Sequence, residues 1–128
     1  MKQLLFLLFA LLSYTLSYSQ DKSDRLYLGE KQAKSELQLA LSQQKQHNVV
    51  DNKTLLIKNK DTAIKIAESI LFDIYGKENI LKQQPYESYL IENHWVISGT
   101  LQKGYVGGTF LIIMDALNGK VIKITHGK

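Results

Sequence analysis

The feature that most constrains this chain is a change of period at Pro85, its single proline. Before it, Ala63, Ile66, Ala67, Ile70, Leu71 and Ile74 recur at the three- and four-residue steps that place side chains on one face of an α-helix. Lys65, Glu68 and Asp73 lie off that stripe. After Pro85 the apolar residues alternate, as they do on the two sides of a β-strand. Helical period first and strand period last describe an α+β domain: N-terminal helices packed on a curved antiparallel β-meander of about four strands. The spacing predicts a helix over about 60–75, capped by Asn59 or Asp61 and stopped at Gly76. Strands are predicted at 86–91, 94–101, 109–115 and 120–125. Glu92-Asn93 links the first two, and Asn118-Gly119 turns the last pair, because both residues tolerate positive φ.

One strand asks for more cover than a single helix supplies. Along 109–115, Leu111 and Ile113 face one way while Phe110, Ile112 and Met114 face the other. A strand apolar on both faces needs both faces covered. The second cover would come from the N-terminal helix, from curvature of the sheet or from a partner. That N-terminal helix is expected over 30–46, where Ala33, Leu37, Ala40, Leu41 and Gln44 recur among good helix formers. Residues 47–53 read as a linker, and 54–57 as a short strand or the lead-in to the next helix.

The first 19 residues read as an address. Lys2 gives a positive start, Leu4 to Leu16 form an apolar run, and Ser17-Tyr18-Ser19 offer small residues before the charged stretch that opens at Asp21. This is the three-part plan of a signal peptide. The apolar run is about 13 residues, whereas a spanning helix needs roughly 20. An uncleaved anchor is the alternative. Cleavage near Ser19 would leave about 109 residues, divided into a polar segment with its linker at 20–54 and an α+β domain at 55–128. The exported chain would be periplasmic, on the cell surface or extracellular, and would meet a membrane only through its signal peptide during export.

The absence of cysteine gains meaning in an exported chain. Small secreted domains often depend on disulfides, so stability here must come from packing. Thiol nucleophiles and cysteine-ligated zinc are excluded. The formal net charge of +4 is mild and its lysines are scattered, which does not predict a nucleic-acid face.

The residues Asp61-Thr-Ala-Ile-Lys-Ile-Ala-Glu68, Tyr75-Gly76, Ile80, Pro85-Tyr86, Trp95-Val-Ile-Ser-Gly-Thr-Leu101, Gly107-Gly108, Asn118-Gly-Lys120 and Thr125-His-Gly-Lys128 follow one another in a recognisable order. Over about residues 55–128 the chain resembles a family of bacterial immunity proteins with the nuclear transport factor 2 fold. The resemblance implies a binding protein that neutralises a cognate toxin encoded beside it. It implies no catalytic residues and no cofactor.

Other chemistries find little support in the spacing. Gly104, Gly107 and Gly108 precede a strand rather than a helix and lack the Gly-Lys-Ser/Thr pattern of a phosphate loop. His47, His94 and His126 have no metal-ligand spacing, no serine sits in a nucleophile elbow, and nothing marks Glu87 and Glu92 as a catalytic pair. Trp95 reads as core, with Gly99 making room for its indole. The catalytic, cofactor and metal residues are therefore expected to be none. The candidate partner-binding residues are Lys103, Tyr105, His126 and Lys128, basic and aromatic groups suited to an acidic partner. A periplasmic small-molecule binder or enzyme using the concavity of the sheet is the alternative class, and a structural envelope domain is a third.

Overall fold

A computed structural model describes residues 25–42 and 46–128, and the chain divides into two units, 1–46 and 47–128. The signal peptide, its cleavage point near Ser19 and Gln44 lie outside the described residues.

In the first unit, helix α1 spans Gly29–Leu41. It is shorter than the periodicity suggests. Ser42 closes it, with its amide donating to the Gln38 carbonyl and its hydroxyl to that of Leu39. A Glu30–Lys34 ion pair of 2.6 Å and a Gln32–Glu36 hydrogen bond of 2.8 Å link successive turns. Among the described residues of this unit none is buried, and Leu37 and Leu41 stand exposed.

The second unit begins at His47. Helix α2 covers Lys60–Tyr75, as the stripe predicts. Its cap is Asn59, whose Oδ1 accepts the Thr62 amide at 2.9 Å, while Asp61 sits in the first turn. The buried line is Ala63, Ala67 and Leu71, in four-residue steps that lead on to half-buried Tyr75. Ile74, assigned to the stripe by sequence, is 52% exposed because it lies off that line. Gly76, at φ 88°, breaks the helix and begins helix α3 at Lys77–Leu81, which buries Ile80 and which the sequence pattern does not reveal.

Four strands follow: β1 Glu87–Ile91, β2 His94–Ser98, β3 Phe110–Asp115 and β4 Val121–His126. They form an open antiparallel sheet in chain order, with Tyr89 opposite Val96 and Trp95 opposite Met114. Glu92 and Asn93, at φ 47° and 59°, make the first turn. In the second turn, only Gly119 is left-handed; Asn118 instead uses its side-chain Oδ1 to accept the Lys120 amide. Between β3 and β4 the register shifts at Ile113/Met114.

Trp95, Ile97, Phe110, Ile112 and Met114 share one face and join Ala63, Ala67, Leu71 and Ile80 in a single core. The two alanines leave space for the helix to lie close over the sheet. On the opposite face Leu111, Ile113 and Val96 are half-buried, while Tyr89 and Ile91 are more than half exposed.

The stretch 54–57 is neither strand nor helix. It clamps one end of the sheet, because the Leu56 and Ile57 amides both donate to the Ala116 carbonyl at 2.8 and 2.9 Å. The Trp95 indole N–H donates to the Ile57 carbonyl at 2.9 Å. Upstream, Asp51 accepts from the Lys53 and Thr54 amides and from the Thr54 hydroxyl, and Asn118 Nδ2 donates to Asn52 Oδ1. Those donors stabilise the Asp51 carboxylate and hold its pKa below the ordinary 3.8.

Candidate functional site

At the other end of the sheet the chain leaves a cleft of about 660 Å³. It lies where α3, the start of β3, the end of β4 and the loop after β2 come together. Gln83, 4% exposed, organises it. Its Oε1 accepts the Phe110 amide at 2.9 Å, which ties the residue after α3 to the first residue of β3. Its Nε2 donates to the Asn79 carbonyl at 2.9 Å and faces His126 Nε2 at 3.1 Å. His126 Nδ1 lies 2.7 Å from the Gly127 carbonyl, which can only accept, so Nδ1 donates and Nε2 accepts from Gln83. The Gln83 carbonyl in turn accepts the Thr100 amide at 2.8 Å. A buried side-chain amide with partners for both its nitrogen and its oxygen is a strong local fixative.

Glycines make this arrangement possible. A Cβ on Gly99 would collide with Gln83 Oε1, so Gly99 accommodates the Gln83 amide and not the Trp95 indole, as the sequence pattern suggested. The correction has a simple cause, since Trp95 points toward Ile57 at the opposite end of β2. A Cβ on Gly108 would strike the Gly127 backbone, so the two chain segments cross in contact beside His126.

The Tyr75 ring packs 5.2 Å from the His126 ring at a 52° tilt. Lys82 and Asn79 line the α3 side, and Leu101, Tyr105 and Val106 line the loop side. Close by, Tyr86 meets Phe110 edge-on at 5.2 Å and donates to Glu68 at 3.0 Å. Burial first, and Glu68 second, raise the Tyr86 phenol pKa far above its ordinary value, so it stays a donor.

Of the four residues singled out by sequence, Tyr105 and His126 line the cleft together. Lys103 lies on the same loop, and Lys128 follows the Gly108–Gly127 crossing; both are exposed and outside the lining. Sequence reasoning missed Gln83 and Lys82. Gln83 belongs to a Gln-Gln pair whose second member is exposed, and no local pattern separates the two. The three histidines are not gathered: His94 Nδ1 contacts the Glu92 carbonyl in its own turn, and His47 is exposed. Among the described residues no group of three His, Asp or Glu side chains could hold a metal ion. His126 and Gln83 spend their polar atoms on each other and on backbone, an arrangement that shapes a surface and offers no free acid–base pair.

The chain has relatives over more than half its length. The chain is 32% identical over 74 residues to the uncharacterized protein YhhH of Escherichia coli (strain K12), covering 57% of this chain and 58% of that protein. It is 30% identical over 73 residues to the uncharacterized protein YbbC of the same organism, covering 56% and 60% respectively. The matches thus span under two thirds of each relative. No solved structure matches the chain. The family model for NTF2 fold immunity proteins matches residues 62–128, which hold α2 from Thr62 onward, α3 and all four strands. With an α-helical layer on one face of an open antiparallel sheet, and a match over more than half its length, the chain belongs to the NTF2 fold immunity protein family.

Proposed function

We propose that this protein is exported and neutralises a cognate toxin by binding it directly, with no catalytic step of its own. Membership of an immunity family is the observation that carries the reading. Two features support it. The leader-like run at 1–19 directs the chain to the envelope or beyond, where it would meet a secreted toxin. The loop after β2 also presents Tyr105, 69% exposed, and Val106, fully exposed, a pairing typical of protein-binding surfaces. A small-molecule site is the second reading, because the cleft volume falls within the usual range for ligand pockets. Its central polar groups, however, are already paired internally.

The test is co-expression of the full chain with the toxin encoded beside it, both directed to the periplasm. Growth rescue together with co-purification of the two proteins is expected. Rescue without a complex would remove direct binding, and no rescue would remove the immunity role toward that toxin. Sequencing the N-terminus of the periplasmic protein checks export, with a mature start near Gln20 expected.

A further inference from the structure

We propose that the cleft between α3 and the loop after β2 is the seat for an acidic segment of the toxin, with an apolar side chain of that segment packed against Leu101, Tyr105 and Val106. The proposal rests on the binding role proposed above and adds where the partner sits and what chemistry it carries.

Two independent observations converge on it. The first is apolar. Leu101, Tyr105 and Val106 are 43%, 69% and 102% exposed, and all three line the cleft. Three large apolar groups in one short loop leave a patch without cover, and the backbone hydrogen bond formed within that loop joins the Tyr105 amide to the Gln102 carbonyl. The second is electrostatic. Among the described residues no Asp or Glu lines the cleft. Around it, residues 79–86 and 96–108 contain no acid and carry Lys82 and Lys103, and Lys128 follows His126. After Glu78, which is not part of the lining, the acids are Glu87, Glu92 and Asp115. Glu92 and Asp115 lie at the clamped end of the sheet, and Glu87 hydrogen-bonds Tyr89 on the outward face. Glu68, which accepts from Tyr86, and Glu87 stand nearby but outside the lining, so among the described residues the lining carries Lys82 and no carboxylate. Lys82 on one wall and Lys103 on the loop that forms the other can meet carboxylates from both sides, while the apolar loop supplies the anchor.

The experiment measures affinity of the full chain for the neighbouring toxin by titration calorimetry. Variants Lys82→Glu and Val106→Asp test the cleft, and Lys123→Glu on the outer strand serves as comparison. Unchanged thermal unfolding checks that these exposed substitutions leave the fold intact. Roughly tenfold or greater weakening by each cleft variant is expected, with the Lys123 variant near wild type and with affinity falling as salt rises. If the toxin binds and the cleft variants bind it equally well, or only the Lys123 variant is weakened, the cleft proposal is overturned while the immunity role stands. If the wild-type chain binds no toxin, the functional reading fails. The cleft is then judged by NMR titration with three short probes: a glutamate-rich peptide carrying a phenylalanine, its lysine-rich counterpart and single-stranded DNA. Shifts at Lys82, Leu101 and Tyr105 with the acidic peptide alone support the seat. No shifts, or equal or larger shifts with another probe, overturn it.

Discussion

The two ends of the sheet are closed in different ways. At the Trp95 end, residues 55–57 fold over the strands, Ile57 and Ala116 are buried, and the indole is bonded to the chain that covers it. At the Gln83 end, one buried amide ties α3, β3 and His126 together, and the space beside it stays open. Apolar burial is non-directional and grows with contact, so it seals the first end. Hydrogen bonds are directional and local, so a polar node can hold an edge firm without filling the space next to it. The clamped end is thereby covered by chain, while the other end keeps an accessible surface beside buried Ile80 and Phe110.

The largest break in this contrast is Trp95→Ala. It should cost about 3–5 kcal/mol in denaturant unfolding, from lost burial and an imperfectly collapsed cavity. Gln83→Leu should cost less, about 1–3 kcal/mol, because it leaves the Phe110 amide and the Asn79 carbonyl without their partner. Faster hydrogen exchange at Phe110, with protection at Ile57 retained, would locate that loss at the open end. A Gln83 variant less stable than the Trp95 variant would reverse the comparison. One residue in from the open end of β1, Ser88 faces the core opposite Ile97, and its buried hydroxyl has no hydrogen-bond partner. Ser88→Ala should raise stability by about 1 kcal/mol, read as a higher denaturation midpoint with an unchanged slope.

The smallest effect concerns pH at the clamped end. The folded pKa of Asp51 is lowered, so its contribution is present above the ordinary value of 3.8 and is lost as pH falls through the lower folded value. The Lys53 and Thr54 amide resonances should titrate with a midpoint below 3.8, and Asp51→Asn should abolish that titration. A midpoint at or above 3.8 would show that the turn does not hold the carboxylate.

Much of the scaffold is written in local pattern. The α2 stripe, the strand alternation and the two turns are each set by neighbours within a few residues, and α2 and the sheet follow them closely. The open end is not local. Gln83 meets His126 across 43 positions and the Phe110 amide across 27, and such pairings leave no periodic trace. Helix α3 is too short for a helical period to register. Tyr105 and His126 were legible as residue types suited to contact, but Gln83, which lines the same cleft and bonds to His126, shows its importance only when the chain has folded around it. Lys82 was equally hidden, as one lysine among many until the acid-free cleft gives it a setting.

The chain has one tryptophan, and its indole is held 2.9 Å from the Ile57 carbonyl at the clamped end. The molecule thus carries an intrinsic optical probe of one half alone. Its emission should shift to the red only when the clamp opens, and should stay constant while a ligand free of tryptophan fills the cleft. Fluorescence can therefore separate loss of structure from occupancy without any label.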